Sequence, residues 1–146
     1  MVKESYYVDS CIWLNLFKKE GDPSKGMPYW KIAEEFFKKV TNNRAVIIIS
    51  PVVLKEISYK LQNKFSHFKN YILRNTKDIE FIDLMADDYR LARKLELING
   101  FQIGFSDYLH VAICKRLNLI LITRDRKLIA FAQKHICVLK PEDLFF

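Results

Sequence analysis

The chain contains no apolar run long enough to cross a bilayer. Its longest unbroken stretches, residues 45–49 among them, are far shorter than the ~20 residues a spanning helix needs. The opening Met1-Val2-Lys3-Glu4-Ser5 has no apolar segment of the kind that directs secretion, so a cytoplasmic location is expected. Cysteine is scarce and poorly spaced for zinc. Cys11, Cys114 and Cys137 form no Cys-x-x-Cys pair, and only 3 histidines could join them. Reduced thiols among apolar neighbours are the expected state. Internal repeats, low-complexity tracts and linker-like stretches are missing too. With 146 residues, that favours one domain, residues 1–146, around one core.

Apolar surface is plentiful. Half the residues are hydrophobic and 14% are aromatic, enough for a packed interior rather than a disordered tail. Trp13, Phe17, Trp30, Phe36, Phe37, Phe65 and Phe68 crowd the first half, and core packing accounts for most of them. The formal charge is +7, and a basic surface favours nucleic acid as partner. Lys18, Lys19, Lys38, Lys39, Lys60, Lys64 and Lys69 are candidates for phosphate contact, although lysines on helix surfaces are usually only solvated.

Short apolar runs alternate with helical periodicity. Strands are predicted at residues 5–9, 45–49, 79–84, 119–123 and 136–139, and helices at 12–17, 28–42, 51–63, 65–74, 87–99, 106–117 and 126–134. Pro28 suits a first helical position, and Ser50 before Pro51 reads as an N-cap followed by a first-turn proline. In the helix over 87–99, Leu91, Leu95 and Ile98 are expected to face inward, and Gly100 stops it. Ser106 is expected to cap the helix that follows. Strands alternating with helices imply a parallel α/β sheet of four to five strands, covered on both sides. The ligand site of such a sheet lies beyond the carboxyl ends of its strands.

Four acids occupy such places. Asp9 closes the first strand, Glu56 sits on the helix after the second, Asp107 lies in the first turn of its helix, and Asp125 follows the strand ending at Thr123. Each has a bland explanation, as a cap, a turn residue or a favourable charge at a helix N-terminus worth ~0.3–1 kcal/mol. Together they would converge, and only protons or a divalent cation hold several carboxylates close.

The segments Val8-Asp9-Ser10, Ser50-Pro51-Val52-Val53-Leu54-Lys55-Glu56, Ser106-Asp107-Tyr108-Leu109-His110-Val111-Ala112 and Leu121-Ile122-Thr123-Arg124-Asp125 occur in that order. With the closing Val138-Leu139-Lys140-Pro141-Glu142-Asp143-Leu144, they resemble the PIN-domain ribonucleases, particularly the toxin subunits of VapBC-type toxin–antitoxin systems. The resemblance covers essentially the whole chain. It implies a three-layer α/β/α PIN-like domain that hydrolyses RNA phosphodiester bonds with one or two Mg²⁺ or Mn²⁺ ions. By that likeness Asp9, Glu56, Asp107 and Asp125 hold the metal, and Thr123 and Ser10 hydrogen-bond the carboxylates. It also implies an antitoxin partner and a homodimer or a hetero-oligomer with that antitoxin. Two departures stand out: Cys11 replaces the Asn or Ser frequent two positions after the first Asp, and Leu128 replaces a frequent Phe.

Other readings remain open. Arg124 and Arg126 flank Asp125 and are candidates for RNA contact, with solvated charges the alternative. His110, one turn after Asp107, is read as a packing or hydrogen-bonding residue, since a carboxylate metal site needs no histidine. The chain could instead be a catalytically inactive PIN-like module that binds RNA or protein, or a PIN nuclease of RNA processing without an antitoxin. A phosphatase of the haloacid-dehalogenase type would want a second Asp where Cys11 stands, and a receiver domain would want an earlier acidic pair.

Overall fold

A computed structural model describes residues 4–144; residues 1–3, read above for a secretion signal, lie outside them, as do residues 145 and 146. Five short parallel strands, β1 (Ser5–Val8), β2 (Val46–Ile49), β3 (Ile79–Phe81), β4 (Ile120–Ile122) and β5 (Val138–Leu139), pair in the order β3-β2-β1-β4-β5. Between them run α1 (Ser10–Phe17), α2 (Tyr29–Asn42), α3 (Pro51–Leu61), α4 (Phe65–Arg74), α5 (Ala86–Ile98), α6 (Phe105–Leu117) and α7 (Arg126–Ala132). This is the expected three-layer α/β/α architecture.

The central strand explains both the layering and the position of the site. Successive side chains on a strand point to opposite faces, yet Tyr6, Tyr7 and Val8 are all buried, so both faces of β1 are covered. Tyr6 meets Phe36 of α2 edge-on across one face, and Tyr7 meets His110 of α6 across the other. From β1 the sheet grows one way through β2 and β3 and the other way through β4 and β5. The connections leaving β1 and β4 therefore diverge, which opens a crevice at the carboxyl ends of these two neighbours. The aromatic residues of the first half pack as expected: Trp13 is fully buried, 4.4 Å from Phe37 and 5.3 Å from Phe68 between ring centroids, which ties α1, α2 and α4 together. Among the described residues no helix is long and apolar enough to cross a membrane.

Several local expectations are corrected. Of the three cysteines expected as buried thiols, only Cys114 is fully buried, and Cys137 is exposed. Ile98 does not face inward; it is 70% exposed. The buried stripe of α5 instead runs through Asp88, Ala92, Leu95 and Glu96. The Asp88 carboxylate fixes that rotation by accepting from Arg116 of α6 at 2.8 and 2.9 Å and from the Met85 backbone at 2.8 Å. Ser106 does not cap α6. The helix starts one residue earlier, after Gly104, where half-buried Phe105 packs beneath the Arg93 guanidinium. Pro28 is the residue before α2 rather than its first member. The third strand pairs only over Ile79–Phe81, because an edge strand loses its partner once Ile82 has bonded to Ile49. Ser50 does cap α3, accepting from the Val53 N–H at 3.2 Å.

Candidate metal centre

Asp9 leaves β1 in an extended conformation and caps α1, its Oδ1 accepting from the Ser10 N–H at 2.8 Å. Its Oδ2 accepts from the Thr123 hydroxyl at 2.8 Å and from the Cys11 thiol at 3.3 Å. Thr123 directly follows β4, across the crevice, and its Oγ1 also accepts from the Asp125 N–H at 3.2 Å. The carboxylate is thus held from both strands at the point where they diverge. Burial, then the charge of Asp9, push the Cys11 thiol pKa far up, so it stays protonated and donates. The polar contact that an Asn or Ser would supply at this position is kept by sulfur.

Glu56 reaches the same place from α3. Its Oε2 accepts from the Ser10 hydroxyl at 3.2 Å, and its Oε1 lies 3.2 Å from His110 Nε2. Burial acts to raise the Glu56 pKa, but the hydrogen bonds from His110 and Ser10, with the charges of His110 and Lys60, outweigh it and hold it below the usual carboxylate range. His110 is fully buried, with Nε2 3.6 Å from Asp9 Oδ1 and Nδ1 2.6 Å from the Tyr7 hydroxyl, which in turn sits 2.6 Å from Ser50 Oγ. Burial works against a charged imidazole, yet the bond to Glu56 and the charges of Asp9, Glu56 and Asp107 raise its pKa overall.

Asp107 and Asp125 stand farther out. Asp107 is half-buried at the start of α6. Its pKa is raised to about 6, mainly by burial; His110 opposes this, and the like charges of Asp9, Asp125 and Glu56 add to it. Asp125 is exposed and caps α7, with Oδ1 accepting from the Lys127 and Leu128 N–H groups at 3.0 and 3.2 Å.

Among the described residues, Asp9, Glu56 and His110 each present an atom that can bind metal, all within 4.8 Å of one another. Asp107 and Asp125 fall outside that group, although their charges reach it. The two shorter separations, 3.2 and 3.6 Å, are close to the ~3 Å between neighbouring ligands of an octahedral ion with bonds of about 2.1 Å. The donor set therefore fits a hard or borderline divalent cation. The hydrogen-bonding role expected of His110 is present, to Tyr7 and Glu56, and its Nε2 also falls within the group that could hold an ion. Tyr7 and Ser50 gave no signal in the sequence, since one reads as strand core and the other as a helix cap.

Of the flanking arginines, Arg126 is exposed. Arg124 is committed elsewhere: it grips Glu142 through two bonds of 2.8 and 2.9 Å and lies 4.2 Å over the ring of Tyr29.

Comparison with known proteins agrees with the fold. Among solved structures, the chain is similar to VapBC2 from Rickettsia felis bound to a promoter DNA fragment, at 19% identity and a TM-score of 0.70, over 93% of this chain and 98% of that one. DNA-bound VapBC from Salmonella typhimurium matches at 14% identity and a TM-score of 0.66, over 96% and 99%. VapC20 from Mycobacterium tuberculosis, described as a toxin that cleaves the sarcin-ricin loop, matches at 17% identity and a TM-score of 0.64, over 86% and 93%. At these identities the likeness shows the fold alone. Among curated protein sequences none matches. The PIN domain profile, however, matches residues 6–134, and with carboxylates gathered at the β1–β4 crevice the chain belongs to the PIN domain family.

Proposed function

We propose that this chain is a metal-dependent endoribonuclease that hydrolyses RNA phosphodiester bonds, and that it is the toxin of a toxin–antitoxin pair acting in the cytoplasm. One observation carries this most directly: Asp9 and Glu56 are locked side by side while burial, with the like charges around it, holds the Asp107 pKa near 6. Such an arrangement calls for a cation. Asp9, Glu56, Asp107 and Asp125 would hold one or two Mg²⁺ or Mn²⁺ ions, with His110 Nε2 beside them. A bound divalent ion would make an attacking water more acidic and stabilise the leaving alkoxide. The protein's own share is positional. Thr123 and Cys11 fix Asp9, Ser10 and His110 fix Glu56, and the Ser50–Tyr7 pair sets the imidazole. The formal charge of +7 supports a polyanionic substrate around this acidic centre, with exposed Arg126 available to a phosphate.

For the partner, the surface between α1, α2 and α4 is the natural seat. A groove of about 770 Å³ there has Leu16, Phe17, Phe37 and Tyr71 in its wall and Lys18, Lys19, Lys38 and Lys64 around them. An antitoxin segment with apolar and acidic side chains would match it. Leu97 and Ile98 at the end of α5 and Phe101 just past it, all exposed, offer a face to a second copy.

The test is cleavage of RNA with and without Mg²⁺ or Mn²⁺. Asp9→Asn or Asp107→Asn should abolish metal-dependent cleavage while leaving the circular dichroism spectrum intact. Cleavage that survives both substitutions, or that persists in excess chelator, rejects the reading. Salt-sensitive RNA binding without turnover would favour the non-catalytic module.

A further inference from the structure

Tyr29 lies within one arginine side chain of the Thr123–Asp125 segment that borders the candidate metal centre, and it has no part in the centre itself. The residue is 45% exposed at the start of α2, and one face of its ring is covered by the Arg124 guanidinium at 4.2 Å. Arg124 lies between Thr123, which donates to Asp9, and Asp125. Its double bond to Glu142 answers its charge, and its side chain is only 14% exposed. A guanidinium held in this way is poorly placed to reach a phosphate. It stiffens the tyrosine from behind.

The backbone that carries the ring is fixed as well. The Trp30 N–H donates to the Glu20 carbonyl at 2.9 Å, which folds the intervening loop back onto the start of α2. Gly21, at φ +129°, comes so close that a Cβ there would lie 2.4 Å from the Tyr29 nitrogen, so only glycine fits. The sequence thus spends a glycine, an arginine and a glutamate to hold one partly exposed aromatic ring beside the crevice. A flat ring already immobilised loses little freedom when a second flat ring stacks on it.

We propose that Tyr29, backed by Arg124 and Glu142, is a stacking platform for an unpaired nucleobase flanking the scissile phosphate. This rests on the ribonuclease reading above, which supplies the RNA. Every base has a π-face, so the platform tolerates sequence but requires a base free of its helix.

Cleavage of a short single-stranded RNA is compared for wild type, Tyr29→Phe and Tyr29→Ala, replacing each nucleotide in turn with an abasic spacer. Tyr29→Ala is expected to raise KM about tenfold, and Tyr29→Phe to stay within about twofold of wild type. One abasic position should raise the wild-type KM by the same factor and add nothing to Tyr29→Ala, the mark of a direct contact. An unchanged KM in Tyr29→Ala overturns the platform. So does a loss that is equal at every abasic position, which would make the residue merely structural. If the wild type does not cleave, the cycle is read from 2-aminopurine emission on binding. Quenching that Tyr29→Ala abolishes keeps the platform while the nuclease reading fails; quenching that is absent, or indifferent to Tyr29, overturns the platform whether or not the protein cleaves.

Discussion

The two halves of the acidic site are built on different principles. In the inner half, Asp9 and Glu56 are surrounded by donors: the Ser10 N–H and hydroxyl, Thr123, Cys11 and His110. In the outer half, burial and like charges push Asp107 up to about 6, and Asp125 spends one oxygen on the N-terminus of α7. The inner carboxylates are preorganised by the protein's own hydrogen bonds. Asp107 is left electrostatically unsatisfied, and a cation would complete it. The fold therefore stabilises half of the candidate metal site and leaves Asp107 in tension. That is a reasonable way to make an ion both well oriented and strongly attracted.

The largest way to break this contrast is through activity. Asp9→Asn and Asp107→Asn should each lower kcat/KM by more than about a hundredfold, beyond the ~10–100-fold loss expected of a supporting partner. Equal loss from both halves would show that each serves the reaction despite their different construction. Thr123→Val comes next. It removes the hydroxyl that spans the crevice to Asp9 and leaves every candidate metal ligand in place. Affinity for Mn²⁺, measured by calorimetry, should fall about 10–100-fold. Unchanged affinity would mean that the backbone alone orients Asp9.

Folding stability separates the halves more sharply. Asp9→Ala deletes an N-cap, worth about 0.5–2 kcal/mol, and strands the buried Thr123 hydroxyl at about 1–3 kcal/mol more. A loss of about 2–3 kcal/mol in urea titrations without metal is the expected sum, since neighbouring effects do not add fully. A loss below about 0.5 kcal/mol would show that the inner half is not held in the way its hydrogen bonds imply.

This division was only partly legible in the sequence. The apolar runs at 45–49 and 119–123 and the Ser50-Pro51 start of α3 announced themselves through local chemistry, and they became β2, β4 and a capped helix, each strand slightly shorter than its run. The order of strands put Asp9 and Thr123 on either side of one crevice, because parallel sheets leave few other arrangements. What stayed hidden depends on partners distant in sequence. Tyr7 looks like any buried strand residue until His110, 103 positions away, is brought to 2.6 Å. Arg124 reads as a free cation until Glu142 and Tyr29 close on it. Ile98 fitted an apolar period, but Asp88 and its ion pair with Arg116 turned the helix another way. Periodicity finds faces, and it does not find a buried charge that overrides one.

The smallest predicted effect is also the most diagnostic, because its sign is opposite in the two halves. Asp107 has a folded pKa of about 6 against an ordinary 3.8, so the metal-free fold binds that proton more tightly than the unfolded chain does. Its contribution is fully present below the ordinary value and is lost as pH rises through about 6. Glu56 behaves in reverse. With its folded pKa below the ordinary 4.5, it stabilises above that value and loses the contribution as pH falls through the folded one. Asp107→Asn should therefore raise the stability of the chelated protein at pH 7 by about 1 kcal/mol, discounted for partial exposure, or some 2–4 °C in Tm. Near pH 4 the gain should vanish, because the wild-type carboxyl is then already protonated. Saturating Mg²⁺ at pH 7 should reverse the order and leave the wild type the more stable, since only its site keeps all its carboxylates for the ion. A gain that is the same at both pH values would trace it to packing, and the outer half would then carry no stored repulsion for a cation to relieve.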